Sequence, residues 1–102
     1  MKYQRSVRFL ADYQRLDDDD RDRFRDAVRL INRAYEERRE RAFPRWPVSL
    51  RIKGVQGAPG VWEMTWSFTR PDGRATFSFI TIDGELAIRW RRIGDHRVFE
   101  EP

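Results

Sequence analysis

The hydrophobic periodicity of this sequence changes once, close to Pro47, and that change limits the elements that the chain can form. Before Pro47, apolar side chains recur every three or four positions, at Phe24, Ala27, Val28, Ile31, Ala34 and Tyr35. This spacing places them on one face of an amphipathic helix, which is predicted over roughly residues 18–39. The Asp17 to Asp20 run suits the start of this helix, because carboxylates there cap free N–H groups and favour the helix dipole.

After Pro47 the apolar side chains recur at every second position, which is typical of a half-buried β-strand. The alternating residues are Trp62, Met64, Trp66 and Phe68. We expect them to face the long helix through Phe24, Val28 and Ile31. Turn residues at Pro71-Asp72-Gly73 and Asp83-Gly84 then predict two more strands, over residues 74–82 and 86–93.

Shorter elements complete the predicted architecture. Residues 3–8 are expected to form a first strand, residues 9–16 a short helix, residues 48–53 a further strand and residues 54–60 a loop. Helices followed by strands predict an α+β fold, with N-terminal helices packed on one face of a mostly antiparallel, roughly four-stranded twisted sheet. A chain of 102 residues is expected to form one domain, 1–102.

Composition excludes several classes of site. The sequence has no cysteine, which rules out disulfides, thiol nucleophiles and thiolate metal sites. No segment resembles a signal peptide or a membrane span, so we expect a cytoplasmic protein without a membrane partner. The formal net charge of +4 permits a nucleic-acid partner. A GC-rich genome would also favour arginine, so the positions of the arginines must decide which of them matter.

The sequence resembles a known family over the predicted strands and the residues that follow them. The matching segments are Gly60-Val61-Trp62-Glu63-Met64, Gly73-Arg74-Ala75-Thr76-Phe77, Ile82-Asp83-Gly84 and Arg92-Ile93-Gly94-Asp95-His96-Arg97-Val98-Phe99. In order and spacing they resemble the C-terminal half of the RelE/ParE superfamily toxins. The resemblance covers about residues 48–99 in detail and the preceding helices in layout only.

This resemblance implies the toxin of a type II toxin–antitoxin pair, with a cognate antitoxin protein as partner. Toxins of the RelE branch enter the ribosomal decoding site and cut mRNA without a metal or other cofactor. Toxins of the ParE branch inhibit DNA gyrase and cut nothing. Since a fold alone does not select between these activities, the residues of the site must.

The resemblance also assigns candidate roles. Arg74 stands where the RelE branch carries an arginine that stabilises the phosphate. His96, the only histidine, stands where a general acid acts, and its usual pKa near 6.5 suits proton transfer. Lys53 and Glu63 are alternative general bases, and the sequence does not choose between them.

Three further arginines are candidates for RNA binding. Arg51 lies in the segment where family members place a base or a phosphate-binding residue. Arg89 and Arg91 share one face of the last predicted strand, opposite Ile88 and Trp90, and suit successive phosphates. Counting along the predicted hairpin brings Arg74 and His96 to the same end of the sheet, so both are expected to reach one phosphate.

Two departures from the family pattern keep other functions open. Glu63 and Thr65 stand where some RelE-branch toxins use paired lysines, and Phe99 stands near the family's terminal tyrosine. The leading interpretation is a ribosome-dependent mRNA endonuclease. The alternatives are a non-enzymatic gyrase inhibitor and a catalytically inactive binding module of the same fold.

Overall fold

Two helices cover one side of a five-stranded sheet. A computed structural model of the chain describes residues 1–38, 43–68 and 72–102. The elements in chain order are β1 (Tyr3–Arg5), α1 (Val7–Gln14), α2 (Asp18–Glu36), β2 (Lys53–Gly54), β3 (Trp62–Ser67), β4 (Gly73–Ile82) and β5 (Glu85–Gly94). The strand order is β1-β5-β4-β3-β2, and β1 alone runs parallel to its neighbour. The predicted α+β fold is confirmed, although the sheet has five strands rather than four.

Side-chain caps fix where both helices begin. The Asp17 carboxylate accepts a 2.8 Å hydrogen bond from the Asp20 backbone N–H, which confirms the predicted start of α2. The Ser6 hydroxyl caps α1 by accepting from the Phe9 N–H at 3.0 Å, so α1 begins two residues before its predicted start. α2 ends at Glu36, about three residues before its predicted end. Within the described ranges, no helix is both long and apolar enough to cross a membrane.

The core lies between the two helices and one side of β3, β4 and β5. Phe24 of α2 packs its ring edge against Trp66 at 6.4 Å and against Trp90 at 5.0 Å, measured between ring centroids. Trp66 is only 7% exposed, which confirms its predicted place beneath α2. Phe68, which the alternation also assigned to the core, is 53% exposed, because β3 ends at Ser67 after an irregularity in its pairing with β4.

The predicted strand over residues 48–53 is wrong for most of its length. Val48–Leu50 forms a 3-10 helix, and Lys53 and Gly54 alone in this segment pair with β3. Arg51 ends this helix with φ of 48°, a conformation that no strand contains. The tight turn buries Leu50 to 4% exposure and leaves Val48 92% exposed, whereas a strand would have placed both on one face.

The hairpin between β4 and β5 has the predicted turn. Asp83 and Gly84 have φ of 52° and 77°, and Ile82 pairs with Glu85 across the turn. Positive φ at both central residues matches the right-handed twist of the flanking strands. The other predicted turn begins at Pro71, and residues 69–71 lie outside the described residues.

Candidate nucleic-acid interface

The side of the sheet that faces away from α1 and α2 carries most of the candidate residues. In β3, Met64 and Trp66 enter the core. Glu63 and Thr65 alternate with them along the strand and therefore point to the other side. The register sets Glu63 opposite Thr76 and Thr65 opposite Arg74 in β4. This side is termed the polar face, and it gathers charged and hydroxyl side chains from β2, β3, β4 and β5.

A bulge in β5 determines which arginine reaches the polar face. Trp90 and Ile93 are both buried in the core, although they lie three positions apart in β5. The pairing register shifts between Thr76 and Phe77 of β4, so that β5 accommodates one extra residue at this point. Arg91 therefore shares an acceptor with Thr76 on the polar face, whereas Arg92 pairs with Asp12 of α1.

Arg74 lies where β4 begins, at one end of the polar face, and is held from two sides. Its Nη1 donates to the Thr65 hydroxyl, and its Nη2 lies 3.4 Å from Asp72 Oδ2. The side chain is 19% exposed. Its buried Nε has no hydrogen-bond acceptor among the described residues. The guanidinium is therefore positioned by the sheet and keeps one donor that the described residues leave unused.

The two candidate general bases are neighbours. Lys53 of β2 lies directly opposite Glu63 of β3, with Nζ 3.8 Å from Oε1. The Lys53 side chain is 70% exposed, and the Glu63 side chain is 12% exposed. Solvent and a ligand therefore reach the amine far more easily than the carboxylate.

The backbone places the His96 segment beside Arg74. Arg74 pairs with Gly94 at the end of β5, and His96 opens the 3-10 helix His96–Glu100 two residues later. The side chain of His96 lies outside the described part of the chain. Asp95 caps this helix by accepting from the Arg97 N–H at 2.9 Å and also binds the Arg97 guanidinium, which raises the pKa of Arg97.

The three candidate RNA-binding arginines occupy different surroundings. Arg89 pairs with Ser78, two residues along β4 from Thr76, and donates to Gln4 of β1 at 3.2 Å. Its partner in β4 places it on the polar face with Arg91. Arg51 lies at the β2 edge, with its guanidinium 5.2 Å from the centroid of the exposed Phe68 ring.

The pair formed by Asp12 and Arg92 was not identified from the sequence. Asp12 is 7% exposed and accepts from Arg92 Nε at 2.6 Å, from Arg92 Nη2 at 3.2 Å and from the Ile93 N–H at 3.2 Å. The carboxylate raises the pKa of Arg92. Asp12 follows the buried Phe9 by three positions and so lies on the same face of α1. A charged residue on the buried face of a helix requires a partner, and this was the signal present in the sequence.

Comparison with known proteins gives structural matches only. No family model matches the sequence, and no curated protein matches it. The YoeB/ParE toxin from Agrobacterium tumefaciens superposes with a TM-score of 0.65 at 16% identity, over 94% of this chain and 99% of that one. The RelB–RelE antitoxin–toxin complex from Methanococcus jannaschii gives 0.57 at 12% identity, over 96% and 95%. The free E. coli toxin RelE, carrying two arginine-to-alanine substitutions two positions apart, gives 0.58 at 14% identity, over 98% and 90%.

Proposed function

Because this chain has the fold of the RelE/ParE toxin superfamily, we propose that it is the toxin of a type II toxin–antitoxin pair and that it cleaves mRNA on the ribosome. The observation that supports this most directly is the polar face. It brings Lys53, Glu63, Arg74 and Arg91 together from four strands of the sheet. An inert sheet surface has no need of an arginine whose side chain is only 19% exposed.

The chemistry assigns one task to each group. Cleavage by the 2′-hydroxyl requires a base for its proton, a cation on the phosphate and an acid for the leaving 5′-oxygen. Arg74 serves the phosphate, because Thr65 and Asp72 hold its planar fork of donors in place. Lys53 or Glu63 serves as base, and His96 as acid, since its backbone lies beside the strand end that carries Arg74.

The same face suits an extended nucleic-acid strand. Neighbouring strands lie about 4.8 Å apart, so β2 to β5 spans roughly 14 Å, which accommodates two or three phosphates. Arg89 and Arg91 flank the β5 side of this surface, and Arg51 flanks the β2 side. The E. coli RelE variant named above also changes two arginines at a spacing of two, which is the spacing of Arg89 and Arg91.

An antitoxin protein is the proposed cellular partner, in the cytoplasm. Three of the matched structures are toxins solved with an antitoxin or an antitoxin peptide. The basic side chains of the polar face suit an acidic segment of such a partner, because complementary charge steers association. Copurification from the native operon should therefore yield a stable complex with a small acidic protein.

The experiment is induced expression of the chain and of Arg74→Ala in a bacterial host, followed by mapping of mRNA 5′ ends on ribosomes. We expect new 5′ ends within codons for the unchanged chain and their loss for Arg74→Ala. Arg29→Ala is the matched control, because Arg29 is an exposed arginine of α2 paired with Asp26. Growth arrest without new 5′ ends would contradict cleavage and favour gyrase inhibition. The absence of both growth arrest and cleavage would favour an inactive binding module.

A further inference from the structure

Residues 100–102 lie across one end of the polar face and form a strap that binds three arginines. The Pro102 main-chain oxygen accepts from the Thr76 hydroxyl at 3.0 Å and from Arg91 Nε at 2.9 Å. The Glu101 carbonyl accepts from Arg92 Nη1 at 3.1 Å, and the Glu101 carboxylate pairs with Arg8. The strap is thus held by donors from α1, β4 and β5.

The donors beneath Pro102 form a small site for an oxygen atom. Thr76 is fully buried, and its hydroxyl and Arg91 Nε converge on the same acceptor. A hydroxyl beside a guanidinium is an arrangement that binds phosphate oxygens, because both groups donate and one carries a fixed positive charge.

We propose that the strap is an internal competitor for the RNA backbone, with the Pro102 main-chain oxygen occupying the position of a phosphate oxygen on Thr76 and Arg91. Binding of RNA at this subsite requires the strap to leave, which lowers the apparent affinity in proportion to the time that the strap is bound. The Glu101 carboxylate reinforces this competition, because it holds Arg8 as an anionic ligand would. This inference rests on the proposed function, since it takes RNA as the ligand.

The test measures binding of a short single-stranded RNA with 2′-O-methyl riboses, which prevents cleavage by a 2′-hydroxyl. Glu101→Gln in the full chain removes the exposed ion pair with Arg8 and should raise the affinity about threefold to fivefold. Glu85→Gln is the control, because it changes the net charge equally at the exposed turn end of β5, and it should change the affinity less than about twofold. Hydrogen exchange at the amides of residues 99–101 reports whether the strap has been released.

Thr76→Val gives the second readout. Added to Glu101→Gln, it should abolish the gain in affinity, because it removes the donor that the released strap uncovers. Alone, it should change the affinity little, since it weakens the competitor and the RNA subsite together. If exchange at residues 99–101 rises and the affinity does not, the inference is wrong. If Glu101→Gln leaves exchange unchanged, Glu101→Lys, which repels Arg8 and Arg92, is measured against Glu85→Lys by the same criteria.

The two proposals fail separately. RNA affinity that responds to Glu101 and Thr76, in a chain that cleaves no mRNA on ribosomes, would overturn the nuclease function and leave the strap as a competitor for RNA. Cleavage that depends on Arg74, in a chain whose RNA affinity ignores Glu101, would support the nuclease function and overturn the strap.

Discussion

The Asp12 carboxylate accepts hydrogen bonds from both Nε and Nη2 of Arg92, which lies 80 residues further along the chain. The pair joins α1 to the stretch of β5 that follows the bulge. Because Asp12 also accepts from the Ile93 N–H, it satisfies a backbone donor of β5 beyond the last residue that β1 pairs with. One buried carboxylate therefore fixes the position of α1 and the course of β5 past Arg91.

Replacing Asp12 by alanine should lower the free energy of unfolding by about 3 kcal/mol, because it leaves the mostly buried Arg92 guanidinium without its partner. Urea denaturation measures the change. Asp26→Ala is the control, since Asp26 pairs with Arg29 on the exposed side of α2 and its loss should cost less than about 1 kcal/mol. Equal losses for both variants would show that the Asp12 pair is no stronger than a surface pair.

Gly73→Ala should destabilise the protein by about 1–3 kcal/mol, because overpacked cores must shift side chains or backbone. A Cβ at Gly73 would lie 2.5 Å from Cε2 of the Trp66 ring. Gly54→Ala in β2 is the matched control, since a Cβ there meets nothing within 4 Å. Thermal unfolding of both variants checks the prediction, and an unchanged midpoint for Gly73→Ala would mean that the ring can move aside.

The Lys53–Glu63 pair leads to a prediction about the general base. Lys53→Ala should slow single-turnover mRNA cleavage by about 100-fold, because the exposed amine is the group that a ribose hydroxyl can reach. Glu63→Gln should slow it less than about tenfold, since that side chain is largely buried and acts through Lys53. Rates measured on programmed ribosomes separate the two roles, and the reverse order would assign the base to Glu63.

Arg89 and Arg91 should contribute to RNA affinity through phosphates. Each substitution to alanine should weaken binding to unrelated RNA sequences by similar factors and reduce the slope of log affinity against log salt by about 1. Titrations at several salt concentrations measure this slope. Arg25→Ala on the exposed side of α2 is the control and should leave the slope unchanged. A loss confined to one RNA sequence would instead indicate contacts to bases.

Local patterns in the sequence were sufficient for most of the fold. The spacing of Phe24, Ala27 and Ile31 identified α2, and the Asp83-Gly84 turn positioned β4 and β5 to within one residue. Residues 48–53 were mispredicted, because the burial of Leu50 by the core overrides the strand preference of its neighbours. Such an override depends on tertiary contacts that no short window of sequence contains.

The polar face was only partly predictable. Period-two alternation correctly separated Arg89 from Ile88 and Trp90. The same alternation would have placed Ile93 on the polar face, because it takes no account of the bulge that returns Ile93 to the core. The buried partner of Asp12 and the acceptor shared by Thr76 and Arg91 both arise between segments far apart in the chain. Sequence spacing therefore gave the candidates for the site but not the contacts that hold them.

The parallel pairing of β1 with β5 also has a consequence for biosynthesis. Tyr3 pairs with Ile88, so the first strand to be synthesised has its partner in the last. Contacts this distant in sequence form late, because the intervening chain must be ordered before they stabilise anything. A nascent chain that still lacks β5 also lacks Arg89, Arg91 and the strand that joins β1 to β4. The sheet is thus completed only after β5 has emerged from the ribosome that makes it.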